Sequence, residues 1–204
     1  MIAPNLYLPM SIAEKQEIET LQVLYVDIEQ AQYIQTIGQG WTYPLQRFMN
    51  EQELLEVTQL KTLQHNGKSM IMSMPFTQPV TKEERDKHCK QSRIAIKCKA
   101  LGNQVLAVVE EPEFFPHRRE ELCARVFGTL SNKHPKTPKI LKSGEFLLSS
   151  KSMRFLKRVE FNDGMDHLRM SPEEIHRELQ RMGADAVYAY QSKDPLTEAN
   201  LLLL

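Results

Sequence analysis

The residues whose types and order could do chemistry lie at the end of the chain, over 184–204. A short apolar run, Ala-Asp-Ala-Val-Tyr-Ala-Tyr-Gln, leads into a proline-containing turn, Ser-Lys-Asp-Pro-Leu-Thr, and then into the beginning of a helix. A strand, a tight turn and a helix N-terminus together present backbone donors to phosphate or sulfate in α/β proteins. The order predicts an anion site, yet the turn contains no histidine or arginine, and the sequence ends one helical turn later.

The element that must position this turn is a helix with a strong start signal. Ser171-Pro172-Glu173-Glu174 supplies serine as the N-cap, proline at the first position and glutamate at N3, and Gly183 ends the helix. A helix–strand–helix order therefore begins only after Asn162. The preceding residues predict a mixed, strand-rich fold.

N-cap residues and alternating apolar and polar residues predict the helices and strands that precede Asn162. Asp27 and Asn50 are N-cap residues for two helices. Alternating residues on both sides of Leu101-Gly102-Asn103 predict a hairpin. A helix is predicted over 117–127, and a strand over 69–77 with three methionines on one face, which are expected in the core rather than as ligands.

Composition and cysteine usage are those of an ordinary folded protein. The 204 residues are 41% hydrophobic and 25% charged, and no apolar run approaches the roughly 18 residues that span a bilayer. The first residues have neither the basic nor the apolar region of a secretory signal. Cys89, Cys98 and Cys123 form no CxxC pair, which favours reduced thiols over a disulfide or a zinc site. We expect a cytoplasmic protein, with the nucleus left open, no membrane contact, and no resident cofactor or metal.

The net charge is zero, but the charges are unevenly distributed. Residues 1–60 carry two basic and eight acidic side chains, whereas residues 131–158 carry eight basic side chains against the single acid Glu145. The two regions could pair within the fold or across a dimer, or the basic region could bind an anion. Pairing of a basic face with the acidic first third is the favoured interpretation.

RNA binding is the competing hypothesis for the basic region. Lysines recur every third residue from Lys133 to Lys142 and could line up on one face of an extended segment. A pI near 7.0 is well below the value of about 9 typical of nucleic-acid domains, so RNA is a low-weight alternative. For His117-Arg118-Arg119 and for His134, structural roles are favoured over phosphate contacts.

Several unusual strings occur in one order along the chain. They are Gly40-Trp41-Thr42-Tyr43-Pro44-Leu45, Met72-Ser73-Met74-Pro75, Cys123-Ala124-Arg125-Val126-Phe127-Gly128-Thr129, Asn162-Asp163-Gly164-Met165-Asp166 and Ala184-Asp185-Ala186-Val187. This order resembles ATP sulfurylase (sulfate adenylyltransferase), in the form fused to adenylylsulfate kinase in animal PAPS synthases. The resemblance extends over nearly the whole chain.

The resemblance implies an α+β chain with two parts. Residues 1–162 would form a PUA-like β-barrel domain with flanking helices. Residues 163–204 would be the first helix, strand and turn of a truncated, Rossmann-like catalytic domain. The implied family reaction converts ATP and sulfate to adenylylsulfate and pyrophosphate, with Mg²⁺ implied by the resemblance only.

The family's catalytic turn reads Gln-x-Arg-Asn-Pro-x-His-x-x-His, in which the glutamine and arginine hold sulfate and the histidines hold the ATP phosphates. In the ten aligned residues that begin at Gln191, Gln191 and Pro195 match, and Lys193 replaces the arginine. Lysine cannot form the bidentate fork that arginine makes with an oxyanion, and Asp194 adds a repelling charge. The resemblance thus implies a degenerate sulfate or ATP site at Gln191 and Lys193, without catalytic residues.

We therefore expect a chain that does not make adenylylsulfate alone. It could be a divergent relative that acts as a non-catalytic partner or regulatory subunit of a full-length sulfurylase, as a homo-oligomer or a heterodimer. It could also be a fragment whose active site lies elsewhere, but the altered motif favours divergence. A strand at 184–191 and the apolar residues Leu201–Leu204 are expected to pack against the barrel or to meet another chain.

Overall fold

A five-stranded sheet forms the centre of the protein. The computed structural model describes residues 5–8, 11–192, 195 and 197–202. The strands of the sheet are β1 (Gln22–Val26), β4 (Gln78–Val80), β5 (Arg93–Cys98), β6 (Gln104–Pro116) and β7 (Phe146–Phe155). Their order is β1-β5-β6-β7-β4, with β1 parallel to β5 and the other neighbours antiparallel. The sheet curls into a half-barrel within a mixed α+β fold.

A second, two-stranded sheet is the hairpin of β2 (Thr62–His65) and β3 (Lys68–Ile71). Its turn, Asn66-Gly67, has φ of 50° and 71° at the two positions. Two positive φ angles are the signature of a type I′ turn, whose twist matches that of the strands. The helices are α1 (Ile12–Thr20), α2 (Ile28–Gly38), α3 (Glu51–Leu60), α4 (Lys82–His88), α5 (Arg119–Phe127), α6 (Thr137–Leu141), α7 (Pro172–Met182) and α8 (Glu198–Leu201).

Side-chain caps fix where three of these helices begin. Asp27 Oδ1 accepts a hydrogen bond from the Gln30 backbone N–H at 2.8 Å, and Asn50 Oδ1 accepts one from Glu53 N–H at 2.9 Å. Ser171 forms a reciprocal capping box at the start of α7. Each bond satisfies a backbone donor that the helix cannot pair internally. The three predicted helix starts are confirmed.

The predicted hairpin around Gly102 is also confirmed. Gly102 and Asn103 have φ of 65° and 60°, and they join β5 to β6 after a short 3₁₀ turn, Lys99–Leu101. The helix predicted over 117–127 begins instead at Arg119. His117 is still extended there, because its backbone N–H donates to the Glu145 carbonyl oxygen at 2.8 Å.

The main core lies between α2 and the central strands. Gly38, at the end of α2, approaches the Phe155 ring so closely that a Cβ would lie 2.8 Å from Phe155 Cδ1. This close approach lets the helix pack on the sheet without a gap. The fully buried hydrophobic residues of this core include Ala31, Ile34, Ile37, Phe48, Ile94, Ile96, Cys98, Ala107, Val109, Leu148 and Phe155.

The strand predicted over 69–77 is too long, because β3 ends at Ile71. Its partner β2 has only four residues, and the last pair in the register is Thr62 with Ile71. Met72 N–H then donates to the Lys61 carbonyl oxygen at 2.9 Å, after which the chain leaves the hairpin. Met72 is buried as expected, whereas Met74 is 49% exposed.

The strand predicted over 184–191 is wrong. The residues from 184 to 192 form no strand, and all of them are exposed. No strand of the described residues pairs with this segment, and a single strand with unpaired backbone groups is unstable in water. The described part of 163–204 therefore forms no Rossmann-like sheet. Leu202 is 89% exposed and does not pack on the barrel, while Leu203 and Leu204 lie outside the described residues.

Candidate functional site

Gln191, the first residue of the predicted anion site, is exposed on the irregular segment that follows α7. Lys193, the second, lies outside the described residues. Downstream, Thr197 caps the four-residue α8 by accepting from the Asn200 N–H at 3.4 Å. The helix start is thus present without the preceding strand, and the assignment of Gln191 and Lys193 as a degenerate sulfate site stays a prediction.

A cleft of about 510 Å³ lies between α2, α5, α6 and the segment over 74–79. We call it the α2–α6 cleft. Its volume falls in the range of small-molecule sites, which are mostly apolar with a few polar groups. Tyr33 and Phe76 meet edge to face in its wall, with ring centroids 6.0 Å apart. The apolar lining residues are Tyr33, Met74, Pro75, Phe76, Pro79, Leu122, Val126, Phe127 and Ile140.

Glu29, on α2, binds two lysines at the rim of this cleft. Its Oε2 accepts from Lys139 Nζ at 2.8 Å, and its Oε1 accepts from Lys136 Nζ. The hydrogen bond from Lys136 and then that from Lys139 hold the pKa of Glu29 below its ordinary value, against the opposing effect of burial. The acidic first third thus meets the basic region within the fold, as the favoured interpretation of the charge distribution predicts.

The arginines and histidines singled out as possible phosphate contacts have structural partners. Arg118 Nη2 donates to Glu51 at 2.8 Å, and Arg119 Nη1 donates to the Ser143 carbonyl oxygen at 2.7 Å. The ring of His134 packs against the ring of Phe127 at a centroid distance of 4.6 Å. These contacts support the structural roles favoured from the sequence.

His117 is the buried polar side chain of the cleft, with 8% of its surface exposed. Its Nδ1 lies 2.9 Å from the carbonyl oxygen of Gly144, which can only accept, so Nδ1 carries the proton. Burial lowers the pKa of the imidazole, and the bond to Gly144 only partly opposes this. The ring is therefore neutral at neutral pH, and Nε2 is a lone-pair acceptor. Nε2 is buried and has no hydrogen-bond partner in the described part of the chain.

The charged rim of the cleft is weakly basic. Lys136, Lys139 and Lys142 line it, against Asp27 and Glu29. Lys142 is exposed and forms no ion pair within the residues that the structure describes. A ligand that reached this rim would meet Lys142, and also Lys136 and Lys139, which share the single negative charge of Glu29.

One cysteine adjoins the lining of the cleft. The buried Cys123 lies next to Leu122 of the lining, and burial raises the pKa of its thiol, so it is not an activated nucleophile. Among the residues described, no group of three or more His, Cys, Asp or Glu side chains could hold a metal ion.

Across the same residues, no helix is long and apolar enough to cross a membrane.

Sequence reasoning missed this cleft because four separated segments build it. Its lining comes from 27–33, 74–79, 117–127 and 136–143. Only the opposite charges of the first and late parts of the chain indicated that two of these segments meet.

The comparisons with known sequences find a PUA-like domain and relatives among ATP sulfurylases. Residues 6–158 match the profile of the PUA-like domain. The whole chain aligns with ATP sulfurylase 2 of Arabidopsis thaliana at 27% identity and covers 42% of that protein. Over 93% of the chain, identity to ATP sulfurylase 4, chloroplastic, of the same plant is 28%, covering 40% of that protein. The sulfate adenylyltransferase of Symbiobacterium thermophilum is 26% identical over 86% of the chain. The chain spans about two fifths of the length of these relatives.

A solved structure shares the fold. It is that of the hexameric APS kinase from Thiobacillus denitrificans, which superposes with a TM-score of 0.73 over 98% of this chain and 34% of its own. At 18% sequence identity, the likeness concerns the fold alone.

Proposed function

Because the chain belongs to the PUA-like domain family and is homologous to the N-terminal region of ATP sulfurylases, we propose that it serves sulfate activation as a non-catalytic module. It would bind or assemble with a sulfurylase rather than make adenylylsulfate. The observation that carries this proposal is the altered turn that begins at Gln191, set in a chain that otherwise aligns along its whole length with ATP sulfurylases.

The chemistry of that turn supports the absence of turnover. Lys193 offers a point charge where the family's arginine offers two parallel donors, and Asp194 brings a negative charge to the place where sulfate and triphosphate would gather. Thr197 and Asn200 stand where the family has histidines and cannot supply positive charge as pyrophosphate leaves. Gln191 lies on an exposed segment that pairs with no strand in the described part of the chain.

We place the boundary between the two parts of the chain at residues 162 and 163. The family match ends at residue 158. Beyond it, α7 has no buried residue, and residues 184–192 are all exposed. Residues 163–204 would correspond to the beginning of the sulfurylase catalytic domain.

The exposed apolar side chains of this second part fit an assembly role. Val187 is 61% exposed, Tyr188 is 88% exposed and Leu202 is 89% exposed. Exposed apolar side chains of this size, here in the segment after α7 and at the end of α8, are a feature of protein–protein contact sites. We propose a full-length sulfurylase of the PAPS synthase type as the partner, in a heterodimer, with a homo-oligomer as the alternative.

RNA binding has less support than sulfurylase assembly. Lys136 and Lys139, two of the four regularly spaced lysines, already bind Glu29, which lowers the positive charge that they present to phosphates. We propose the cytoplasm as the compartment, since Cys89, Cys98 and Cys123 are all free thiols, which fits a reducing environment.

Two experiments test the proposal. Isothermal titration of the purified chain with adenylylsulfate, ATP and sulfate should give no binding heat, whereas micromolar adenylylsulfate binding would contradict the loss of the site. Size-exclusion chromatography with light scattering, on a mixture with a full-length sulfurylase, should show a complex of one chain of each. Separate elution at micromolar concentrations of both proteins would contradict the assembly role.

A further inference from the structure

Another cavity, of about 450 Å³, lies between α2 and the segment that leads into α7. We call it the Trp41 cavity. It shares no lining residue with the α2–α6 cleft, and the inference drawn from it does not depend on the proposed function. We propose that the Trp41 cavity binds an uncharged nucleoside, whose flat base lies between an apolar wall and a wall of amide side chains.

The amide wall is one face of α2. Four polar residues line the cavity from this helix and its C-cap: Gln32, Gln35, Thr36 and Gln39. Their spacing of i, i+3, i+4 and i+7 places them in one stripe along the helix, and all four line the same cavity, so the stripe faces it. Three amides in one stripe offer both donors and acceptors, which are the groups that the edge of a nucleobase requires.

Gln35 and Gln39 supply a hydrogen-bond donor and an acceptor within this wall. Gln35 is 6% exposed, and its Oε1 accepts from the Val159 backbone N–H at 2.9 Å, which fixes the amide. Gln39 is 5% exposed, and its Nε2 is inaccessible to solvent, whereas Gln35 Nε2 and Gln39 Oε1 retain accessible surface without a partner in the described chain. A base that presented an acceptor to Gln35 and a donor to Gln39 would satisfy both groups.

The apolar wall faces this stripe. Trp41 is 51% exposed and Leu168 is 63% exposed, so the wall is open to a ligand. Unpaired bases stack on aromatic side chains and still form hydrogen bonds at their edges. The volume is within the range of small-molecule sites. The apolar lining residues are Trp41, Phe161, Leu168, Met170 and Ile175.

The charge beside the cavity disfavours an anion. Arg169 is the one charged residue of the described lining. Its Nη1 donates to Asp166 at 2.8 Å, and its Nη2 donates to Asp163 at 2.5 Å. Two carboxylates against one guanidinium leave a net negative charge next to the cavity, and this charge would repel a phosphate group. The ligand that fits is therefore a nucleoside rather than a nucleotide.

The chain contains one tryptophan, Trp41, so its intrinsic fluorescence reports on this cavity. In titrations with uridine, cytidine, adenosine and guanosine, supported by saturation-transfer NMR, we expect saturable binding of at least one nucleoside with one site per chain. The 5′-monophosphate of that nucleoside should bind more weakly, and ribose, which lacks the base, should not bind. Failure of all four nucleosides to bind at millimolar concentrations, or tighter binding of the monophosphate, would overturn the proposal.

Variants then locate the site, with affinities measured by calorimetry. Gln39→Leu breaks no side-chain hydrogen bond of the described chain, so it should fold as stably as the unaltered chain and bind the nucleoside about three- to tenfold more weakly. Trp41→Leu removes the stacking surface and should weaken binding about tenfold or more. The matched Gln59→Leu, an exposed glutamine of α3 outside the cavity, should leave the affinity unchanged. Thermal unfolding confirms that each variant is folded, and unchanged affinities in both cavity variants would contradict the assignment.

Discussion

The imidazole Nδ1 of His117 lies 2.9 Å from the carbonyl oxygen of Gly144, and this contact ties the end of β6 to the turn before β7. The same glycine lies against β4, where a Cβ would come within 2.1 Å of the Val80 carbonyl oxygen. The absence of a side chain at Gly144 thus allows β4, the end of β6 and the start of β7 to approach one another. The carbonyl oxygen of Gly144 also holds the imidazole of His117, which lines the α2–α6 cleft.

Gly144→Ala should be strongly destabilising, because the added methyl group would collide with backbone rather than with a flexible side chain. Separating β4 from β7 to relieve the collision should cost about 1–3 kcal/mol or more in the free energy of unfolding. Urea unfolding measures this cost. Ser143→Ala, one residue earlier, removes the hydrogen bond from the Ser143 hydroxyl to the Ile140 carbonyl oxygen and a longer contact of 3.4 Å with His117 Nδ1, and it should cost about 1 kcal/mol or less. Equal stability of the Gly144→Ala variant and the unaltered chain would contradict the close approach.

Glu29→Gln should lower stability at neutral pH but not in acid. The lysines hold the pKa of Glu29 below its ordinary value, so the stabilisation is present above that value and is lost as the pH falls through the lowered pKa. Because Lys139 is 68% exposed, the difference should be no more than about 1 kcal/mol. Urea unfolding at neutral pH and at a pH below the lowered pKa of Glu29 tests it.

The matched control for that substitution is Glu120→Gln, on an exposed face of α5. It should shift stability little at either pH. The Glu29→Gln variant and the unaltered chain should differ in the free energy of unfolding only at neutral pH. If the same difference persisted in acid, the charge of the carboxylate would not be its cause.

Removal of residues 184–204 should leave the barrel as stable as before. Residues 184–192 have no buried side chain, so the free energy of unfolding should change by about 0.5 kcal/mol or less. A longer deletion that begins at Ser171 should cost measurably more. Ser171 is buried, and Glu174 pairs with Arg158 of the barrel part. Thermal and urea unfolding compare the two deletions, and a loss from the shorter deletion as large as that from the longer one would contradict the exposed placement of residues 184–192.

Restoring the family's motif should not restore catalysis. The quadruple substitution Lys193→Arg, Asp194→Asn, Thr197→His and Asn200→His rebuilds the chemical groups of the turn. The segment before it still has no strand partner among the described residues, so the groups would not be held in a reactive geometry. A pyrophosphate-release assay should stay at background, and turnover in this variant would show that the chain already contains a sufficient scaffold.

The sequence predicted well the elements that depend on local chemistry. Asp27, Asn50 and Ser171 cap helices as their side chains dictate, and Gly102 with Asn103 turns the chain in the predicted hairpin. These features depend on hydrogen bonds and φ angles within a few residues, so the sequence pattern contains the information that they need.

Elements that depend on distant partners were predicted poorly. The apolar run over 184–191 has the composition of a buried strand, but a strand forms only where another strand lies beside it. The α2–α6 cleft was not predicted, because neither Tyr33 nor Phe76 has any local feature that indicates the other. The contact of Glu29 with Lys136 was foreseen only as an attraction between two regions of opposite charge.

The measurement that tests the central proposal most directly is pyrophosphate release by the purified chain supplied with ATP, sulfate and Mg²⁺. An equimolar full-length sulfurylase, assayed alone and with the chain added, provides the reference rate. We predict no release above background from the chain alone. Sulfate-dependent release by the chain alone would contradict its assignment as a non-catalytic member of the sulfate-activation machinery.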